Sequence, residues 1–214
     1  MNVADILCDQ KVIAILRGVT PENIYQVCES LVIAGVRAVE VPLNSPFALQ
    51  SIQTIAEHFA NELVFGAGTV VNAEQVDNVR QAGGQFIVSP NTDSRVISQA
   101  HKNHLVPIPG IATPSEAYIA IESGAKLLKV FPANTLGRDF VKAIKTVLPS
   151  DIHLFAVGQV DLNNLNGWLA AGCTGVGIGS QLFNPTDSQH QWQEKCHLLS
   201  TFLTSNKIGQ HAKL

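Results

Sequence analysis

No apolar run in this sequence approaches the roughly 18–20 residues that a bilayer-spanning helix needs, so none is expected. Charge is scarce: charged residues make up 14% of 214, and the formal net charge is −3. That balance implies no basic surface for nucleic acid. Only four cysteines occur (Cys8, Cys28, Cys173, Cys196), and none forms a Cys-x-x-Cys pair. They read as the reduced thiols of a cytoplasmic protein, neither a disulfide framework nor a zinc site. The N-terminal Met1-Asn2-Val3-Ala4-Asp5 lacks the basic-then-apolar pattern of a signal peptide and supports the same localisation. The seven histidines show no metal-ligand pairing. Asp77, Asp93, Asp139 and Asp161 fall on expected helix starts or surfaces, so neither a metal nor another cofactor is expected. There is no GxGxxG turn after the first apolar run, which argues against an open, doubly wound dinucleotide-binding sheet.

What the chain has in abundance is apolar residues, 46% of the total, arranged in a repeating order. A short leading helix is expected over residues 2–9. Val12–Leu16 is a continuous apolar run, as in a strand covered on both faces. Thr20-Pro21 then reads as an N-cap followed by proline at the first helical position, with the helix ending before Gly35. The pattern recurs with strands at about 36–41, 63–67, 85–88, 105–108, 125–131, 152–157 and 174–178, each followed by a helical segment. The helix after the sixth strand is expected from about Arg138, and the one after the seventh from Asp161. Eight strand–helix units without a linker predict a parallel sheet closed as a (β/α)8 barrel, a single domain over residues 1–214.

In such a barrel, chemistry sits where the strands end. Those positions carry Arg17, Glu40, Thr69, Ser89-Pro90-Asn91, Pro109-Gly110, Lys129, Gly158-Gln159 and Gly179-Ser180. Two lysines occupy the sixth strand. Side chains alternate along a strand, so Leu127, Lys129 and Phe131 share one face, and Lys126 falls on the other at the water-accessible start. Burial of Lys129 would lower its pKa and free its amine as a nucleophile. Glu40, inside Val39-Glu40-Val41, would be desolvated and raised towards a working acid/base. Arg17 can grip a carboxylate or a phosphate. Structural ion pairs are the alternatives for all three residues. The glycines of Gly66-Ala67-Gly68-Thr69 would let backbone approach a ligand, with a hydroxyl from Thr69; a simple turn is the alternative. The glycine-rich exit of the eighth strand, Gly177-Ile178-Gly179-Ser180, suits phosphate bound on backbone N–H groups.

Taken together, Ile13–Gly18, Val39-Glu40-Val41, Gly66–Thr69, Ser89-Pro90-Asn91, Pro109-Gly110, Leu128-Lys129-Val130-Phe131-Pro132 and Gly177–Ser180 resemble the 2-keto-3-deoxy-6-phosphogluconate aldolase family of class I pyruvate aldolases. The resemblance implies a barrel that assembles as a homotrimer, with Lys129 as the Schiff-base lysine and Glu40 as general acid/base. It implies that Arg17, Thr69, Val157, Gly158, Gln159, Gly179 and Ser180 bind a 2-keto-3-deoxy sugar acid phosphate, which is cleaved to pyruvate and an aldehyde. Pro42-Leu43-Asn44-Ser45 and Val157 look most like the 6-phosphogalactonate branch. Gln159 stands where the family usually has a second glycine. The neighbouring readings are an aldolase for the gluconate epimer or for 4-hydroxy-2-oxoglutarate. A distant one is a phosphate-binding barrel that is an isomerase or a non-catalytic binder.

Overall fold

A computed structural model describes residues 2–205; Met1 and residues 206–214 of the expected domain lie outside the described residues. Helix α1 (Val3–Gln10) leads into β1 (Val12–Ile15), α2 (Ile24–Ile33), β2 (Ala38–Pro42), α3 (Ala48–Phe59), β3 (Val64–Gly68) and α4 (Ala73–Gln81). Then follow β4 (Phe86–Val88), α5 (Ser94–Lys102), β5 (Val106–Ile108), β6 (Gly110–Ile111), α6 (Pro114–Glu122), β7 (Leu127–Val130) and α7 (Ala133–Lys145). The chain continues through β8 (His153–Val157), α8 (Leu165–Ala170), β9 (Gly175–Ile178) and α9 (Gln189–Ser205). All strands pair in parallel, in the order β5-β4-β3-β2-β1-β9-β8-β7-β6.

Of the two ends of that order, β5 is the expected fifth strand, and β6 (Gly110–Ile111) resumes it after Pro109, at the Pro109-Gly110 exit where it is expected to end. Proline at 107 and 109 removes ladder donors, so the strand breaks and each half serves a different neighbour. β5 pairs with β4, and β6 with β7. Between them the Lys129 N–H donates to the Pro109 carbonyl at 2.8 Å, which brings the sheet nearly to closure. The barrel is therefore nine strand segments built on the eight expected strand–helix units.

Alternation divides the apolar residues into two cores. The outward faces (Val39, Val41, Phe65, Leu128, Val130, Leu154, Ala156, Val176) meet the helices in one continuous cluster. The inward faces stack Ile13, Ala38, Val64, Phe86, Ile108, Leu127 and Phe155, and Ile6 and Leu7 of α1 close the layer from below. Full burial of each such large side chain contributes about 1.5–3 kcal/mol. Moving two residues along each strand from this layer reaches the mouth: Ile15, Glu40, Lys129, Val157 and Gly177.

Three helix boundaries differ from expectation. Thr113 caps α6 as a Thr-Pro start should, accepting the Glu116 N–H. Thr20 does not cap α2: its own N–H donates to Asn23 Oδ1, residues 21–23 form a turn, and the helix begins at Ile24. Helix α7 starts at Ala133, before the expected Arg138, because a first turn precedes a break at Gly137 (φ 78°, ψ 166°). The Asp161 expected to open a helix instead starts a turn, in which Asp161 Oδ1 accepts the Asn163 and Asn164 N–H groups. Helix α8 follows from Leu165.

Candidate active site

The centre of the mouth is built by β2 and β7. Glu40 is only 2% exposed and Lys129 only 6%, although the ends of both strands face the open side of the barrel. Each has a small or apolar residue two positions earlier, Ala38 and Leu127, so the strand register buries them in the layer above the inner core. Burial pushes the Glu40 carboxyl above the usual carboxylate range, against the opposing pull of Lys129 and Arg17. Burial also pulls the Lys129 ammonium below the usual lysine range; the Glu40 charge opposes this and the Arg17 charge adds to it. Both shifts favour the neutral forms, so a free amine and a protonated acid become accessible nearer neutral pH. The Lys129 Nζ lies 4.5 Å from the centroid of the ring of Phe131, the residue just after β7, on the face that alternation predicts.

Glycine serves this pair in a way the sequence did not reveal. A Cβ at Gly68 would collide with the Glu40 carboxylate, and one at Gly66 with the Phe86 carbonyl. The space expected for a ligand at these glycines is filled by the protein itself. Gly68 is the reason a carboxylate fits between β2 and β3.

Beside the pair opens a cavity of about 490 Å³. Ile15, Phe131, Val157 and Gly177 form its apolar side, and Arg17, Gly158, Gln159, Gly179 and Ser180 its polar side. A Cβ at Gly177 would lie 2.8 Å from Ile15 Cδ1 and 3.0 Å from Val157 Cγ2, so glycine there keeps this wall open. Gly158 (φ 121°) and Gln159 (φ 52°) both take left-handed backbone, so the glutamine occupies a conformation that favours glycine. Its carbonyl accepts the Asn164 side-chain N–H at 3.0 Å. The structure thus gathers Arg17, Val157, Gly158, Gln159, Gly179 and Ser180 around one cavity. Lys129 and Glu40 do not line it; Phe131 links it to Lys129, and Ile15, the register partner of Glu40, links it to β2. Thr69 is not part of the lining; it sits half-buried at the β3 exit with φ 60°.

Sequence reasoning missed four polar or aromatic members of this wall: Phe131, Asp161, Asn164 and Gln181. Alternation places Phe131 on the Lys129 face but does not assign it to the site. Asp161, expected on a helix start or surface, lines the cavity because α8 begins later. Arg17 escapes a barrel-end salt bridge: among the described residues no carboxylate forms an ion pair with it. Its Nη1 donates instead to Asn44 Oδ1. Lys126, three residues before Lys129, reaches Asp151 at 2.7 Å with both side chains more than half exposed. All four cysteines are free. Among the described residues no group of three or more His, Cys, Asp or Glu side chains could hold a metal, and no helix is long and apolar enough to cross a membrane.

A buried lysine–glutamate pair under a polar cavity at a barrel mouth narrows the comparison with known proteins. The family described as KDPG and KHG aldolase matches residues 3–197. The chain belongs to this family. It is 47% identical over 176 residues to the 2-dehydro-3-deoxy-6-phosphogalactonate aldolase of Escherichia coli K12, covering 82% of this chain and 86% of that one. It is 32% identical over 169 residues to the KHG/KDPG aldolase of the same organism, covering 78% of each. The "Native KDPGal structure" superposes with a TM-score of 0.87 at 42% identity, over 91% of this chain and 94% of that one.

Proposed function

We propose that the whole chain is one barrel domain that cleaves 2-dehydro-3-deoxy-6-phosphogalactonate to pyruvate and D-glyceraldehyde 3-phosphate through a Schiff base on Lys129. The buried pair of Lys129 and Glu40 carries this reading. The neutral Lys129 amine attacks the C2 ketone, and loss of water, with a proton from Glu40, leaves an iminium between Nζ and C2. The iminium draws in the electrons of the C3–C4 bond. Glu40, acting through the released water, takes the proton of the C4 hydroxyl, the C3–C4 bond breaks, and the three-carbon aldehyde phosphate leaves. The enamine that remains gains a proton at C3. Water then hydrolyses the iminium, releasing pyruvate and restoring the amine. The covalent electron sink belongs to the protein, so the reaction needs no metal.

Arg17 and Thr69 are assigned to the pyruvate carboxylate. The phosphate is assigned to the backbone of Gly158, Gln159, Gly179 and Ser180, where glycine leaves N–H groups accessible. Val157 presents methyl groups to the hydroxyl-bearing carbons, which favours the galactonate epimer, as the higher identity to the galactonate enzyme also does. Assembly as a homotrimer follows from the family resemblance, and the reading of the four cysteines as reduced thiols supports a cytoplasmic location. Exposed Ile33, Phe47 and Leu198 provide apolar surface for association, and light scattering of the purified protein reads the state directly.

The test of substrate choice is steady-state cleavage of the two 6-phosphorylated epimers, read as pyruvate formed. We expect kcat/KM at least about tenfold higher for the galactonate epimer. Equal rates, a reversed preference or no pyruvate from either would sink this assignment.

A further inference from the structure

Arg17 is the cation that lines the mouth cavity. It is anchored by a neutral amide, Asn44 Oδ1, with no carboxylate paired to it among the described residues. The anchor is itself tied down at several points. The Leu43 N–H donates to the Gly68 carbonyl at 2.8 Å, and the Ser45 N–H to the Pro42 carbonyl at 2.9 Å. Ser45, 7% exposed, accepts the Gly18 N–H on its Oγ at 2.9 Å. Two adjacent residues of the β2 exit thus grip two adjacent residues of the β1 exit. The same Gly68 that makes room for Glu40 holds the base of this clamp.

An amide oxygen and a carboxylate oxygen can accept the same guanidinium proton, but only the carboxylate cancels the charge. Arg17 also acts electrostatically on both Glu40 and Lys129, so its net charge matters inside the site as well as towards the substrate. We propose that Asn44 is a positioning residue, which aims Arg17 at an anionic group of the substrate while leaving its positive charge intact. Ser45 fixes the backbone on which this aim depends. The inference rests on the aldolase reading above and adds to it a residue with no contact to the cavity of its own.

The test compares Asn44→Ala with Asn44→Asp in the full chain, alone and combined with Arg17→Ala. Asn44→Ala removes the aim and should raise KM about 5–10-fold with kcat within about twofold, as expected for loss of one orienting hydrogen bond. Asn44→Asp keeps an acceptor in place but cancels the charge, so KM should rise further, by about 50-fold. In the Arg17→Ala background both changes should fall silent, since Asn44 then has nothing to aim. An Asn44→Asp enzyme as good as wild type would overturn the charge argument. An unchanged Asn44→Ala enzyme, or effects that persist without Arg17, would overturn the positioning role. Asn44 is exposed, and a thermal melt within about 2 °C of wild type checks that each variant is folded. A wild-type enzyme that cleaves no substrate would instead defeat the aldolase reading itself, which keeps the two failures apart.

Discussion

The base and the mouth of the barrel hold cavities of similar size, about 470 and 490 Å³. The base has the denser collection of reactive side chains: Asp5, Cys8, Asp9, Lys126, Asp151 and His153 all line it. Yet its lysine is more than half exposed and paired with an equally exposed Asp151, while Lys129 at the mouth is 6% exposed above the inner core. The two lysines are three residues apart, Lys129 within β7 and Lys126 immediately before it. Depth, and not the number of ionisable groups, separates a solvated surface pair from a group whose protonation is under strain. Helix α1 contributes to the difference from below, since Ile6 and Leu7 cap the layer that keeps water from reaching the pair through the barrel.

Substituting each lysine is the sharpest way to break this comparison. Lys129→Ala should remove cleavage by about 10⁴-fold or more, measured as pyruvate release, because no other amine replaces the covalent step. Lys126→Ala should leave turnover within about twofold, since an exposed pair contributes little. Comparable losses from both would end the argument from depth. Next in size is Glu40→Gln, which keeps the shape but removes proton transfer and should cost about 10²–10³-fold in kcat. Gly68→Ala probes the same carboxylate from outside. Its new methyl must displace Glu40, so kcat should fall by about 10–100-fold and the thermal midpoint by several degrees, about 1–3 kcal/mol of overpacking. Asp151→Asn, at the base, should move the midpoint by no more than about 1 °C.

The smallest predicted effect is a pair of opposed shifts in pH dependence. Glu40 raises the Lys129 pKa and Arg17 lowers it. Glu40→Gln should therefore move the ascending limb of Lys129 labelling by pyruvate and borohydride to lower pH, and Arg17→Ala should move it to higher pH. The linkage to stability has the matching sign. With a folded-state pKa below the unfolded one, Lys129 binds fewer protons when folded, so its contribution to stability rises with pH between the two values. Glu40, with its folded-state pKa raised, contributes in the opposite direction: its stability is full below the unfolded carboxylate pKa and is lost as pH rises through the folded one.

Much of this contrast was legible in the residue order. A period of two places Lys129 inward with Leu127 and Phe131 and sends Lys126 to the solvent, without any knowledge of neighbours. Covered strands read as continuous apolar runs, which is why the strand–helix units could be counted. The broken fifth strand was not legible as such, because Pro109-Gly110 reads equally as a strand exit; only pairing of Gly110–Ile111 with β7 shows that the strand resumes. Loop contacts were hidden for a related reason. Asn44 meets Arg17 across 27 residues of chain, and Asp161 and Asn164 reach the cavity only because a turn delays α8. Such neighbours depend on how separate loops converge, and no local period records that. The role of Gly68 lay in the same category, since glycine by itself announces free space without saying who occupies it.

The central claim is that burial at the mouth makes Lys129, and no other lysine, a nucleophile towards a ketone. Incubation with pyruvate and sodium borohydride, followed by peptide mapping by mass spectrometry, tests it most directly. Reduction of the imine should add about 72 Da (pyruvate less water, plus two hydrogens) to the peptide containing Lys129, with Lys126 unmodified. No adduct, or an adduct that persists at Lys126 or elsewhere in Lys129→Ala, would contradict the account.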